Sequence, residues 1–331
     1  MNLLKKNDVI LKCNICPNKC NLKEEQIGKC KARKIIDGNI IDIYSGIITS
    51  SNIDPIEKKP LYHFYPGSRI FSIGFYGCTM TCKFCQNYSI SQITSPLRNS
   101  EKKSPDEILQ LLKQNDFDMV AATYSEPLLH FEWLLDFFRL CKNENIKTVL
   151  VTNGYINIEN AKKLFPYIDA MNVDLKSSKN DFYNKICGGT ISPVKEFIIE
   201  GHKEKIHIEI TTLVITDTND KIEECDEITD FIYSISEDIP FHISKYFPTY
   251  KMENPATSIK TIENWVSIAK KKLNYVYGGN IGTFSDTNCP KCSSILIKRD
   301  FYGINIKNLI KNNSVVECKN CGATLKGFVF I

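Results

Sequence analysis

The 331-residue chain holds no run of roughly 18 apolar residues, the length a helix needs to cross a bilayer. Its first residues, MNLLKKNDVILKCNIC, lack the apolar stretch and small-residue cleavage site of a secretory leader. There is no long basic block: the formal net charge is +4, spread among many Lys, Asp and Glu. That balance gives no positive case for nucleic-acid binding. Low-complexity segments are also missing. These absences leave a soluble, cytoplasmic protein with no membrane partner as the expectation. An apolar fraction of 43% over this length suffices for one large domain with small appendages.

What is abundant is cysteine. There are fourteen, and in a cytosolic chain closely spaced thiols read as metal ligands rather than disulfides. Eleven fall into three groups: Cys13, Cys16, Cys20 and Cys30; Cys78, Cys82 and Cys85; Cys289, Cys292, Cys318 and Cys321. Cys141, Cys187 and Cys225 stand alone and read as small buried residues.

Between the outer groups the chain alternates strand and helix. Arg69–Gly74 reads as a strand. Ser104-Pro105-Asp106-Glu107 supplies an N-cap, a proline in the first turn and a reciprocal acid. Met119–Thr123, Thr148–Thr152, Ala170–Asp174, Ile206–Ile215, Pro240–Ser244 and Tyr275–Tyr277 are the further strands. Helices are expected over Pro127–Lys142, Ile158–Leu164, Val194–Glu200, Glu223–Ile235 and Ile262–Lys272, where apolar residues recur at helical spacing. Six or seven units at a period near ~30 residues predict parallel strands with right-handed crossovers. The fold class is therefore α/β, a partial TIM-like (β/α)6 barrel with small Cys-rich modules at both ends. Its parts are residues 1–65, 66–284 and 285–331. In such barrels chemistry sits at the C-terminal ends of the strands.

The central cysteines follow the first barrel strand. In Cys78-Thr-Met-Thr-Cys82-Lys-Phe-Cys85, three thiolates at spacing x3 and x2 can wrap one [4Fe–4S] cluster and leave one iron open. Such an iron can bind an amino nitrogen and a carboxylate oxygen. The alternative, a zinc knuckle, lacks its fourth ligand, because the next histidine is His130. Gly74 and Gly77 allow a tight turn beside the site.

CxxxCxxC after a first barrel strand, with Phe84 before the last cysteine, resembles the radical S-adenosylmethionine (SAM) superfamily. The match from Gly77 to Ser91 (GCTMTCKFCQNYSIS) resembles the pyruvate formate-lyase activating enzyme branch. Over nearly its whole length the chain is similar to the radical SAM enzyme of the AmmeMemoRadiSam system. That similarity runs through Asp54–Gly67 (DPIEKKPLYHFYPG), Thr123–Pro127, Thr152–Tyr155, Asp174–Lys176, His242–Pro248, Tyr275–Asn280 and both outer cysteine groups. Thr79-Met80 departs from the Asn-plus-apolar pair expected there.

The resemblance implies SAM as cofactor, cleaved by one electron to methionine and a 5′-deoxyadenosyl radical. It implies a flavodoxin or ferredoxin-type electron donor, and Memo-like and AMMECR-like partner proteins. It also implies SAM contacts at the strand ends. Glu126 would accept from the amino group, Lys176 would pair with the carboxylate, Asp174 and His242 would reach the ribose, and Asn153 would meet other polar atoms. Each has a plainer alternative. Glu126 could cap the next helix, Asp174 and Lys176 could pair with each other, His242 could be a satisfied interior histidine, and Asn153-Gly154 could be only a turn. Lys245 stands where an arginine is expected, and lysine makes no planar bidentate contact.

Cys289-Pro-Lys-Cys292 and Cys318-Lys-Asn-Cys321 read as a structural Zn2+ site, with a rubredoxin-like iron or an iron–sulfur cluster as alternatives. Cys13, Cys16, Cys20 and Cys30 hold either a structural metal or an auxiliary cluster. Two other functions compete with the leading one: a glycyl-radical enzyme activase, and a non-catalytic zinc-binding interaction protein.

Overall fold

Met119–Thr123 (MVAAT) is buried along its entire length, as a parallel strand covered on both faces must be. The same holds for all but the first residue of Arg69–Phe75. These strands form the centre of the fold. The computed structural model describes residues 10–94, 97, 101–283, 285–300, 303–312 and 315–330. Residues 1–9, part of the stretch read for a secretory leader, and the boundary residue Phe284 lie outside the described residues.

The N-terminal module carries two strand pairs, β1 (Leu11–Lys12) with β2 (Asn21–Leu22) and β3 (Arg33–Ile36) with β4 (Asn39–Asp42). An eight-stranded open sheet follows. Its strands are β5 (Ile48–Pro55), β6 (Arg69–Phe75), β7 (Met119–Thr123), β8 (Lys147–Thr152), β9 (Ala170–Asp174), β10 (His207–Val214), β11 (Phe241–Lys245) and β12 (Val276–Gly279), paired in that order. β6 to β12 are parallel, while β5 runs antiparallel against β6. The seven expected parallel strands are therefore present, the last of them as Val276–Gly279, with an antiparallel edge strand added. The sequence pattern missed β5 because only one of its residues is buried.

Helices α1 (Tyr88–Ser91), α2 (Pro105–Gln114), α3 (Phe131–Asn143), α4 (Ile158–Leu164), α5 (Asn180–Phe182), α6 (Ser192–Lys203), α7 (Ile222–Ile235) and α8 (Ile259–Ala269) make the connections. Ser104 and Glu107 close the capping box of α2, with Pro105 in its first turn. Pro127–His130 is a 3-10 turn before α3, not part of one continuous helix. A π-turn, Tyr183–Cys187, ends at Gly188 with φ +72°. Among the described residues, no helix is long and apolar enough to cross a membrane.

The outer face of the sheet packs on the helices through Phe71, Ile73, Val120, Ala122, Leu150 and Met171. The opposite face is filled from below by Ile56, Leu61 and Phe64, which pack on Ile70, Met119, Ala121, Val149 and Ala170. The DPIEKKPLYHFYPG run thus crosses the barrel interior. The C-terminal module has strands β13 (Thr287–Asn288), β14 (Ile295–Asp300), β15 (Gly303–Ile306), β16 (Leu309–Asn312), β17 (Val315–Cys318) and β18 (Thr324–Leu325) in two antiparallel sheets. Arg299 docks it to the barrel, donating to the Tyr62 carbonyl at 2.8 Å and lying 4.2 Å over the Tyr62 ring.

Candidate functional site

Strand β6 ends at Phe75, and the chain turns at Gly77, whose φ of +110° favours glycine. A Cβ there would also meet Leu129 at 2.8 Å. The turn releases the Cys78–Cys85 loop at the C-terminal mouth of the barrel. Met80 N–H points at Cys78 Sγ (3.4 Å), as does the Asn153 side-chain amide from the end of β8 (3.4 Å). Ser91 Oγ lies 3.0 Å from Cys85 Sγ. The loop is held from behind by the π-turn: Thr81 N–H donates to the Cys187 carbonyl (2.7 Å) and Lys83 N–H to that of Ile186 (3.0 Å).

Burial raises the Cys78 thiol well above its ordinary range, and the Glu126 carboxylate adds to this. The three sulfurs do not share the spacing of ligands on one ion. Among the described residues, only the C-terminal cysteines lie mutually within 4.8 Å. Thiolates that each bind a different iron of a cluster stand farther apart than thiolates sharing one ion.

Glu126 ends the β7 segment and is 1% exposed. Its Oε1 accepts from Leu128 N–H (3.1 Å) and Thr152 Oγ1 (2.6 Å), and its Oε2 from Asn153 N–H (2.8 Å). It caps the following turn and also binds the end of β8. Burial pushes its carboxyl up to about 7 in spite of these donors. Oε2 keeps acceptor capacity, since a carboxylate oxygen takes about two bonds. At the end of β9, Lys176 Nζ donates to Asp174 Oδ2 at 2.8 Å and lies 5.7 Å from the Phe84 ring centroid. Burial pulls the ammonium down, but Asp174 and the Cys82 and Cys187 sulfurs hold it well above its ordinary value.

Glu126, Asn153, Asp174 and Lys176 thus ring the cysteine loop from three consecutive strand ends. His242 is placed differently. It points into the barrel, with Nε2 at 2.6 Å from Glu209 Oε2 and its ring against Tyr62 and Tyr277. Lys245 Nζ lies 4.9 Å from the Phe247 ring centroid.

Two interior groups went unnoticed in the sequence. Glu209 is fully buried and accepts from Tyr62 N–H (2.9 Å) and His63 N–H (2.7 Å), with His207 Nε2 at 3.0 Å. Burial opposes its charge, yet the hydrogen bonds with His207 and His242 hold it well below the usual carboxylate range. Lys59, 2% exposed, donates to Asp54 Oδ2 (2.7 Å), to which Tyr124 OH also donates (2.5 Å). The signal for Glu209 was its place in HIEIT, where His207, Glu209 and Thr211 share one face of a strand.

In the C-terminal module, Cys289 and Cys321 Sγ lie 3.8 Å apart and Cys292 and Cys318 Sγ 3.7 Å apart. Tetrahedral ligands at a metal–sulfur distance of about 2.3 Å would stand about 3.8 Å apart. The four sulfurs fit a single ion.

A parallel barrel with a cysteine loop at one strand end and polar or charged groups at the next three defines an enzyme whose chemistry is held at the barrel mouth. The chain belongs to the radical SAM superfamily. The model of that description matches residues 72–232. An uncharacterized protein of Methanocaldococcus jannaschii is 35% identical over 323 residues, 96% of either chain. The pyruvate formate-lyase-activating enzyme of Clostridium pasteurianum is 27% identical over 193 residues, covering 55% of this chain and 79% of that one. Among solved structures, Streptococcus suis SuiB bound to S-adenosylmethionine superposes with a TM-score of 0.50 at 17% identity, over 66% of this chain and 50% of that one. A radical SAM methyltransferase from Sphaerobacter thermophilus gives 0.50 at 14% identity, over 65% and 67%. These two likenesses concern the fold. Membership of the superfamily implies a [4Fe–4S] cluster and SAM as cofactors.

Proposed function

We propose that Cys78, Cys82 and Cys85 hold the cluster and that Glu126, Asn153, Asp174 and Lys176 hold SAM above it. The observation that carries this is the convergence of four polar strand-end residues on the loop that carries Cys78, Cys82 and Cys85. When bound, cluster and SAM supply one-electron cleavage of the S–C5′ bond, giving methionine and a 5′-deoxyadenosyl radical that takes hydrogen from a substrate. The chain's own part is position. Oε2 of Glu126 accepts from the amino group, and Lys176 turns from Asp174 toward the carboxylate, freeing Asp174 for a ribose hydroxyl. The Asn153 amide stays on the Cys78 side. His242 is committed to Glu209 inside the barrel.

In this reading the protein is the radical SAM component of an AmmeMemoRadiSam system, acting beside Memo-like and AMMECR-like proteins in the cytoplasm and reduced by a flavodoxin or ferredoxin. The full-length likeness to the M. jannaschii protein supports a common architecture that includes both cysteine-rich ends. The C-terminal cysteines take zinc, on the strength of their single-ion spacing. A second reading, an activase that installs a glycyl radical, is favoured by the C. pasteurianum relative.

Anaerobic reconstitution tests the proposal. The expected result is a brown protein that forms 5′-deoxyadenosine from SAM and dithionite, and a Cys82→Ala variant that does neither. A Cys82→Ala variant that still cleaves SAM would overturn it. A glycyl radical appearing on an added pyruvate formate-lyase would move the assignment to the second reading.

A further inference from the structure

The N-terminal cysteines lie against the cluster loop, joined to it by two polar links. In the first, the Asn18 side-chain amide faces Cys16 Sγ at 3.5 Å and donates to the Thr79 carbonyl at 3.2 Å. Thr79 is the residue after Cys78. In the second, Lys29 Nζ donates to the Gly188 carbonyl at 2.7 Å. Lys29 precedes Cys30, and Gly188 presses on Thr81 so closely that a Cβ there would lie 2.3 Å from Thr81 Oγ1. Cys16 also belongs to the same apolar core as Met80, Cys82 and Tyr155. A further anchor is the Ile15 carbonyl, which accepts from Asn157 N–H at 3.0 Å.

The sulfur spacing separates the two outer cysteine groups. Among the described residues, no three of Cys13, Cys16, Cys20 and Cys30 lie mutually within 4.8 Å, whereas the C-terminal four do. Gly28 sits between Cys20 and Cys30, and a Cβ on it would lie 3.7 Å from each sulfur. Neither this group nor Cys78, Cys82 and Cys85 has three sulfurs mutually within 4.8 Å, as a single-ion site would bring them. A zinc ion would draw four thiolates together; a cluster, with one iron per thiolate, holds them apart.

We infer that Cys13, Cys16, Cys20 and Cys30 ligate a second [4Fe–4S] cluster, which passes single electrons to the SAM cluster from an external donor. In each transfer the N-terminal cluster loses one electron, the SAM cluster gains it, and a low-potential one-electron donor restores the first. Four protein thiolates leave no iron open there, which suits transfer rather than SAM binding. The relay half rests on the proposed function; the ligand half does not.

The test uses the full chain, reconstituted anaerobically with iron and sulfide. Two clusters predict about eight iron and eight sulfide per chain. The Cys20→Ala/Cys30→Ala variant should fall to about four iron, and the Cys78→Ala/Cys82→Ala/Cys85→Ala variant should keep about four. Reduced wild-type protein should show a spin-coupled electron paramagnetic resonance signal that neither variant shows. Reduction of the SAM cluster by flavodoxin hydroquinone should slow at least tenfold in the first variant, while dithionite reduces both proteins alike. About four iron and a second zinc in wild type, or no iron in the triple variant, would overturn the ligand assignment. An unchanged flavodoxin rate would overturn the relay alone. The iron count of the triple variant holds even if SAM is never cleaved, so the two proposals fail separately.

Discussion

His242 Nε2 lies 2.6 Å from Glu209 Oε2 inside the barrel, and the same carboxylate receives the Tyr62 and His63 N–H groups. One acid therefore ties β10 and β11 to the run that crosses the barrel interior. Glu209→Gln puts an amide N–H where an acceptor is needed, leaving a buried donor facing a donor. The expected loss is about 3–5 kcal/mol at neutral pH, typical of breaking a buried charged network. Because the folded carboxyl is held below its ordinary value, its stabilisation is complete above the usual Glu range and is lost as pH falls through the folded value. Denaturant melts of wild type and variant should converge in acid; a gap constant with pH would remove Glu209 as its cause.

Glu126 has the opposite sign. Its folded value, about 7, stands above the ordinary 4.5, so the fold prefers the neutral carboxyl. Its contribution is full below about 4.5 and declines as pH rises through about 7. In cofactor-free protein this group should cost about 3 kcal/mol across that interval, at 1.36 kcal/mol per unit. Glu126→Gln should flatten that part of the stability profile. Adding a cationic amine ligand such as SAM should restore stability at high pH in wild type only. Calorimetry across the interval checks both, and equal slopes would refute them.

The legible part of this protein was its periodicity and its cysteines. Strands such as MVAAT and AMNVD are short apolar runs set off by helical patterns, and parallel topology follows from that alternation. Cys78, Cys82 and Cys85 were legible because their spacing is local. Strand β5 was not, because it is an exposed edge without an apolar pattern. The Asp54–Lys59–Tyr124 group was equally hidden, since Tyr124 meets Asp54 across 70 positions of sequence. His242 shows the same limit: sequence placed it on the correct strand, but which partner faces it depends on the register of β10 against β11.

Cys187 was read as a small buried residue, and it is fully buried. It sits in the π-turn behind the loop and packs in the same buried core as Cys82. A fourth thiol beside the cluster site raises a direct question of ligation. Its role here is support: its carbonyl holds Thr81, and burial lifts its thiol far above the ordinary range. Cys187→Ala should therefore retain about four iron at the SAM site and form 5′-deoxyadenosine within about threefold of wild type. Loss of that iron, measured in a background lacking Cys20 and Cys30, would make Cys187 a ligand and close the open iron.

The C-terminal module has a small apolar core centred on Leu296, Ile297, Val316 and Leu325. Sheets this short need a staple, and four sulfurs at single-ion spacing provide one. One connection to the barrel is Arg299, which also donates to Thr287 Oγ1 at 2.7 Å, while Thr287 meets Tyr277 OH at 2.9 Å and Tyr277 OH meets His63 Nε2 at 2.5 Å; Phe328 stacks on the His63 ring, and Val329 N–H donates to the His63 carbonyl at 2.9 Å. Metal loss in the tail thus reaches the residues beside Glu209. Cys318→Ser should abolish tight binding of one zinc per chain and raise hydrogen exchange in β14 and β17. It should also raise exchange at the Tyr62 and His63 amides, whose segment β14 braces through Arg299 on the Tyr62 carbonyl and ring. Arg299→Met, with all four cysteines intact, should reproduce the effect at Tyr62 and His63 but leave the zinc bound. Exchange at those amides unchanged in both variants would show that neither the zinc site nor Arg299 couples the tail to the barrel interior.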